Sequence, residues 1–216
     1  MRQYSIDARN IKNPIYPCPI QMGGKNANGQ MLSIGNYYLS LDGKPFFGIC
    51  GEAHFSRINR ELWEDEIIKM KAGGLNMIAT YIFWIHHEEI EGTFDFSGNK
   101  DLRLFLELCK KNHMYVILRI GPFSHGECRN GGFPDWIYGQ PFDIRCDDPS
   151  YLYYTRRFYE QIYQQAKGLL FKDNGPVIGV QLENEHEHAS CPWEMTTENS
   201  KEWVVSGHDG KNHMST

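Results

Sequence analysis

The chain contains no GxGxxG, no CxxC pair, no HExxH and no run of like charges long enough to make a basic or acidic tail. Each absence removes a class of function. Without a glycine-rich turn after its first apolar run, a dinucleotide-binding sheet is not indicated. The six cysteines follow no regular spacing, which argues against a zinc ribbon or a dense disulfide framework, and Cys50 and Cys109 read as buried thiols. No apolar stretch approaches the roughly 20 residues that a membrane span needs. The N-terminus, Met1 to Asp7, lacks the apolar core of a signal peptide, so the chain as written is expected to be soluble and without an export signal, its compartment left open. Twenty-two basic residues stand against 27 acidic ones, net −5, which makes nucleic acid and anionic membrane surfaces poor partners.

What is present reads as one α/β domain. The 41% hydrophobic content is ordinary for a globular protein and sufficient for a sizeable core. Residues 1–35, rich in Asn, Gly, Pro and Gln, read as an irregular lead-in with room for one short strand. From residue 36 the pattern changes. Tyr37 to Leu41, a turn at Asp42-Gly43-Lys44-Pro45 and Phe46 to Cys50 predict a hairpin that feeds a buried strand. Apolar runs then predict parallel strands near 46–51, 76–82, 115–120 and 177–182, and helical periodicity predicts helices near 60–73, 101–112 and 149–171. Strand and helix in alternation give a parallel sheet. A complete (β/α)8 barrel takes about 250 residues. Four β/α units fit before Thr216, so the expected fold is the N-terminal half of a (β/α)8 TIM barrel, with residues 36–216 a catalytic domain truncated after the fourth unit.

In such a barrel the chemistry comes from the C-terminal ends of the strands. Polar and aromatic groups fall there: Glu52 and His54, Tyr81 and Trp84, His125 and Glu127, Asn184 and Glu185. The last run is the most informative, because an apolar strand passes directly into Glu183, Glu185 and Glu187 with Asn184 among them. A partly desolvated carboxylic acid at a strand mouth can have its pKa raised and serve as a proton donor. Strand alternation would put Glu183 and Glu185 on one face, so spacing does not choose between them. The loop Gly121 to Trp136 is too rich in Gly and Pro for a helix, and its Glu127 can accept hydrogen bonds from hydroxyls or pair with Arg119 or Arg129. His54 and His125 are more often structural than catalytic in such positions.

Several of these segments occur in a fixed order: Trp63-Glu64-Asp65, Thr80 to Trp84, Leu118-Arg119-Ile120-Gly121-Pro122-Phe123, Gly131-Gly132-Phe133-Pro134-Asp135-Trp136 and Gln181 to Glu185. Together they resemble glycoside hydrolase family 35, the β-galactosidase family, from about Gly48 to Glu185. The resemblance implies that Glu185 is the acid/base and Asn184 a sugar-binding residue, with Glu183 in support. It also implies sugar contacts from Tyr81 and from the third loop at His125, Gly126 and Glu127. The family reads Gly-Pro-Tyr and Cys-Ala-Glu-Trp in that loop, where this chain has Phe123 and His125-Gly126-Glu127-Cys128, and His186 stands where a Tyr is usual. These departures bear on which sugar is bound.

The implied activity is retaining, exo-acting hydrolysis of terminal β-linked galactose or a related sugar from a carbohydrate partner, with no cofactor and no metal. The family's nucleophile follows the seventh strand, so it is expected beyond Thr216, and the chain alone is expected to be inactive. Two alternatives are a truncated, non-catalytic carbohydrate-binding remnant and a metal-dependent hydrolase that uses His125, Glu127, Cys128, Glu185, His186 and His188.

Overall fold

A computed structural model describes residues 14–18 and 22–185. The first elements form an antiparallel meander of β1 (Gly23–Lys25), β2 (Met31–Ile34), β3 (Leu39–Leu41) and β4 (Lys44–Phe46), in that order. Leu41 pairs with Lys44, which leaves Asp42 and Gly43 as a two-residue turn, and both have the positive φ (52° and 74°) that this tight hairpin requires. Residues 22–35, expected to be irregular, therefore supply two strands. Their weak apolar periodicity hid them, because short strands on a small, exposed sheet need little of it.

The apolar runs further along form a second sheet. β5 (Cys50–Glu52), β6 (Met77–Tyr81), β7 (Tyr115–Gly121) and β8 (Val177–Leu182) are all parallel and lie side by side in chain order. A doubly wound sheet reverses its strand order part way across, whereas a barrel adds each strand beside the last. The four strands here show no reversal, and the arrangement is the N-terminal half of a (β/α)8 barrel. The strand expected at 46–51 is the one correction to the sheet. Its first residue belongs to β4 and its end to β5, because the Asp42-Gly43 turn draws Lys44–Phe46 into the meander; between the sheets Phe47 is 82% exposed. Cys50, expected to be a buried thiol, is exposed there, while Cys109 is buried.

The helices α1 (Trp63–Ala72), α2 (Trp84–His87), α3 (Leu102–Lys111) and α4 (Pro149–Ala166) connect and cover the strands. Asp101 and Asp148 cap α3 and α4 by accepting hydrogen bonds from first-turn backbone N–H groups, and Pro149 sits where its missing N–H does no harm. α4 stops at Ala166, short of the expected 171, because Lys167 turns extended and Gly168 takes φ 80°. The core lies between sheet and helices. Ile78, Val116 and Leu118 from the strands meet Ile67, Leu106 and Ile162 from the helices. Full burial of each such side chain contributes about 1.5–3 kcal/mol. Glu88, with no exposed surface, accepts from Trp84 Nε1 at 2.7 Å, from the Gly92 N–H at 2.7 Å and from Arg157 at 3.0 Å, which ties the turn after α2 to α4. Among the described residues no helix is long and apolar enough to cross a membrane.

Candidate active site

Register decides which side chains meet at the C-terminal ends of the strands. Tyr81 on β6 stands opposite Arg119 on β7, and Arg119 stands opposite Gln181 on β8. Their neighbours Ile82, Leu118 and Ile120 belong to the core on the helix side, so alternation turns Tyr81 and Arg119 to the other face of the sheet. The Arg119 guanidinium lies 3.7 Å from the centre of the Tyr81 ring. Its Nε donates to Gln181 Oε1 at 3.0 Å, one terminal nitrogen donates to Asn184 Oδ1 at 3.0 Å, and the other is bonded to Glu52 at the end of β5. Residues from all four parallel strands or their exits thus converge on one cation.

The Tyr81 hydroxyl also donates to Asn184 Oδ1, at 2.9 Å. Burial pushes the Tyr81 phenol up to about 12; Arg119 opposes this, while the charges of Glu52, Glu185 and Glu127 add to it. The hydroxyl therefore stays protonated at neutral pH, and the candidate carboxylates from the third loop and from the β8 exit both lie within electrostatic reach of one ring. The His54 ring lies beside that ring, centres 5.1 Å apart and tilted by 39°, and burial lowers its pKa.

Beyond Leu182 the chain leaves strand geometry, and Glu183 and Glu185 both adopt left-handed φ, 56° and 47°. Alternation consequently does not govern them. Glu183 turns inward and is held by Arg145, whose side chain is 3% exposed, through contacts of 2.8 and 3.2 Å. Burial raises the Glu183 pKa, and the Arg145 hydrogen bond and charge oppose the rise. Arg145 also donates to the backbone carbonyls of Asn184 and Glu185, at 3.1 and 3.2 Å, which fixes the exit loop. The Glu185 residue is exposed.

In the third loop His125, Gly126 and Glu127 are consecutive left-handed residues, with φ between 48° and 53°. Only glycine serves at 126, because a Cβ there would stand 2.9 Å from the Phe83 ring and 3.2 Å from Tyr81. That close approach sets the loop beside the Tyr81 ring, and Glu127 lies within electrostatic reach of it. Neither arginine offered as its partner is available: Arg129 pairs with Asp135 at 2.6 Å, and Arg119 with Glu52. Glu127 also lines a cavity of about 420 Å³ shared with Arg57, His86 and Cys128. His125 is exposed, its ring 6.1 Å from that of Phe123.

Tyr81 and Asn184 are in contact, Glu185 and Glu127 lie within electrostatic reach of Tyr81, Gly126 lies close to its ring, and His125, like Glu127 and Glu185, is exposed. No group of three His, Cys, Asp or Glu side chains among the described residues is placed to hold a metal ion; His186 and His188 lie outside them. Sequence reasoning missed the roles of Arg119, Gln181 and Arg145. The available signal was an arginine inside the apolar run 115–120, since a charge in a covered strand must have partners.

The chain is similar in sequence to known β-galactosidases. A β-galactosidase of Xanthomonas manihotis is 37% identical over 169 residues, which are 78% of this chain and 28% of that protein. The human β-galactosidase is 39% identical over 167 residues, 76% of this chain and 25% of that protein. The chain thus spans about a quarter of the length of these relatives. Among solved structures, the exo-β-1,4-mannosidase Op5Man5 from Opitutaceae bacterium strain TAV5 superposes with a TM-score of 0.57 at 15% identity, over 82% of this chain and 29% of the other, a likeness of fold alone. The family model for glycosyl hydrolases family 35 matches residues 38–214, and the chain belongs to that family.

Proposed function

We propose that this chain provides the acid/base side of a retaining, exo-acting glycoside hydrolase that removes terminal β-linked galactose or a related sugar. The observation that carries the reading is the separation of the two carboxylates at the β8 exit. Glu183 is committed to Arg145, whereas Glu185 is exposed at the exit, next to Asn184 and within electrostatic reach of Tyr81. The names of the relatives supply the substrate class; the substitutions at Phe123 and His125 keep it as wide as related sugars.

In this mechanism Glu185 donates its proton to the glycosidic oxygen while a second carboxylate attacks the anomeric carbon, and the C–O bond breaks with release of the alcohol. Glu185, now a carboxylate, takes a proton from water, whose oxygen displaces the enzyme carboxylate and frees the sugar. Retention requires the two carboxyl groups about 5–5.5 Å apart, and the second is assigned to a later strand. The test is hydrolysis of aryl and alkyl β-galactosides by a chain extended through the later strands, with and without Glu185→Gln. Equal loss on both substrates would refute the assignment of the proton donor.

A further inference from the structure

Asn184 Oδ1 is an unusually crowded acceptor. The Tyr81 hydroxyl reaches it at 2.9 Å, Arg119 at 3.0 Å and Gln181 Nε2 at 3.4 Å. These donors are not equivalent. A tyrosine hydroxyl can donate or accept and a glutamine amide can turn over, but a guanidinium only donates. The arginine therefore decides the arrangement. Its Nε engages Gln181 Oε1, which leaves the Gln181 nitrogen to face Asn184, and its terminal nitrogen requires an oxygen, not an NH2 group, at Asn184. The guanidinium is itself fixed, by the Tyr81 ring 3.7 Å away and by Glu52 on its far nitrogen.

We propose that Arg119, anchored by Glu52, is a positioning residue that locks the Asn184 side chain with its oxygen toward the sheet and its NH2 group toward the cleft. The cleft is thereby presented with a donor at Asn184, so a ligand group meeting it must accept a hydrogen bond, as a sugar hydroxyl oxygen does. With the amide reversed, the same position would offer an acceptor and the guanidinium would face two N–H bonds. The consequence for sugar binding rests on the proposed function; the locking does not.

The test has two arms, the first on the 216-residue chain and the second on the chain extended through the later strands. In the first, without ligand, the side-chain NH2 resonances of Asn184 in ¹⁵N-labelled protein are identified by their loss in Asn184→Ala. Arg119→Met should split or broaden that pair and Glu52→Gln should disturb it in the same sense, while the NH2 pairs of Asn76 and Asn112, bonded elsewhere, stay unchanged. Arg119→Lys, which keeps the charge and loses the fork, should fall between. A single, unshifted Asn184 pair in folded Arg119→Met overturns the proposal. If that variant fails to fold, Glu52→Gln decides by the same criterion, because Glu52 touches Arg119 and not Asn184. In the second arm, affinity for methyl β-galactoside is measured in a double-mutant cycle. Arg119→Met and Asn184→Ala should each weaken binding about tenfold, and the double variant about tenfold and not a hundredfold. Multiplying losses would overturn the proposal. If the unaltered extended chain binds no methyl β-galactoside, the proposed function fails and the first arm decides the locking by itself.

Discussion

The hydroxyl of Tyr81 donates a 2.9 Å hydrogen bond to the side-chain oxygen of Asn184, 103 residues later in the chain. The bond crosses from the end of β6 to the exit of β8, over the intervening Arg119. Tyr81→Phe removes one of three donors to Asn184 and leaves the ring under the guanidinium. A hydrogen bond of this kind contributes about 0.5–1.5 kcal/mol net. Urea denaturation should show a loss of that size. A loss above about 3 kcal/mol would mean that the hydroxyl supports more than this contact.

Glu185→Gln, placed in a chain extended through the later strands, removes the proposed proton donor. An activated aryl glycoside, whose leaving group needs little protonation, should suffer much less in its first step than an alkyl-linked disaccharide. Deglycosylation should then limit turnover, and azide should restore it by replacing the water that Glu185 would activate. Glu183→Gln should show neither the leaving-group dependence nor the rescue, since its carboxylate serves Arg145. The opposite pattern, with rescue in Glu183→Gln, would move the acid/base two residues upstream.

Glu88→Ala should be among the most destabilising single changes in the described fold. It leaves the buried Trp84 Nε1–H and the Gly92 backbone N–H without an acceptor and Arg157 without its carboxylate. Removing one partner of a fully buried pair costs about 3–5 kcal/mol, and the partial exposure of Arg157 sets the expected loss at the lower end of that range. Glu88→Gln keeps an acceptor oxygen and should cost less. Chemical denaturation of both variants checks the order, and a Glu88→Ala protein as stable as the parent would contradict it.

His87 should make stability fall with acidity. It is fully buried, its ring stacked 4.4 Å from Phe96, with Nδ1 3.0 Å from the Asp95 carbonyl oxygen. Burial lowers its pKa from 6.5 to about 4. The unfolded chain therefore binds a proton near pH 6.5 that the folded chain accepts only near 4. Stability from this group is present above about 6.5 and is lost as the pH falls toward 4, by up to roughly 3 kcal/mol at 1.36 kcal/mol per pH decade. His54 and His86 are lowered by burial as well, so the informative quantity is the difference between the parent and His87→Phe. The variant should lose less stability across that window; parallel curves would exclude the assignment.

Much of this architecture was legible in the residues. The run Val177 to Leu182 emerges as β8 with the same bounds, because a nearly continuous apolar run suits a parallel strand, although Val180 and Leu182 are exposed. The passage from β4 to β5 was not legible, since Phe46 to Cys50 is one apolar run whose division depends on a turn four residues earlier. At the site, spacing alone left Glu183 and Glu185 equivalent, and only the family resemblance pointed to Glu185. The structure adds a physical difference, the hold of Arg145 on Glu183, from a residue far away in sequence. Arg119 was visible as an oddity in an apolar strand, but its partners arrive from three other strands or their exits and have no local signature.

The placement of Tyr81, Arg119 and Gln181 on one level of adjacent strands makes the chemistry of the cleft a matter of parity. Deleting a single residue between Tyr115 and Leu118 would preserve an apolar strand of almost the same composition. It would also rotate Arg119 into the helix-side core and bring Ile120 into the cleft. The length of β7, counted modulo two, is therefore as much a part of the site as the identity of any side chain in it.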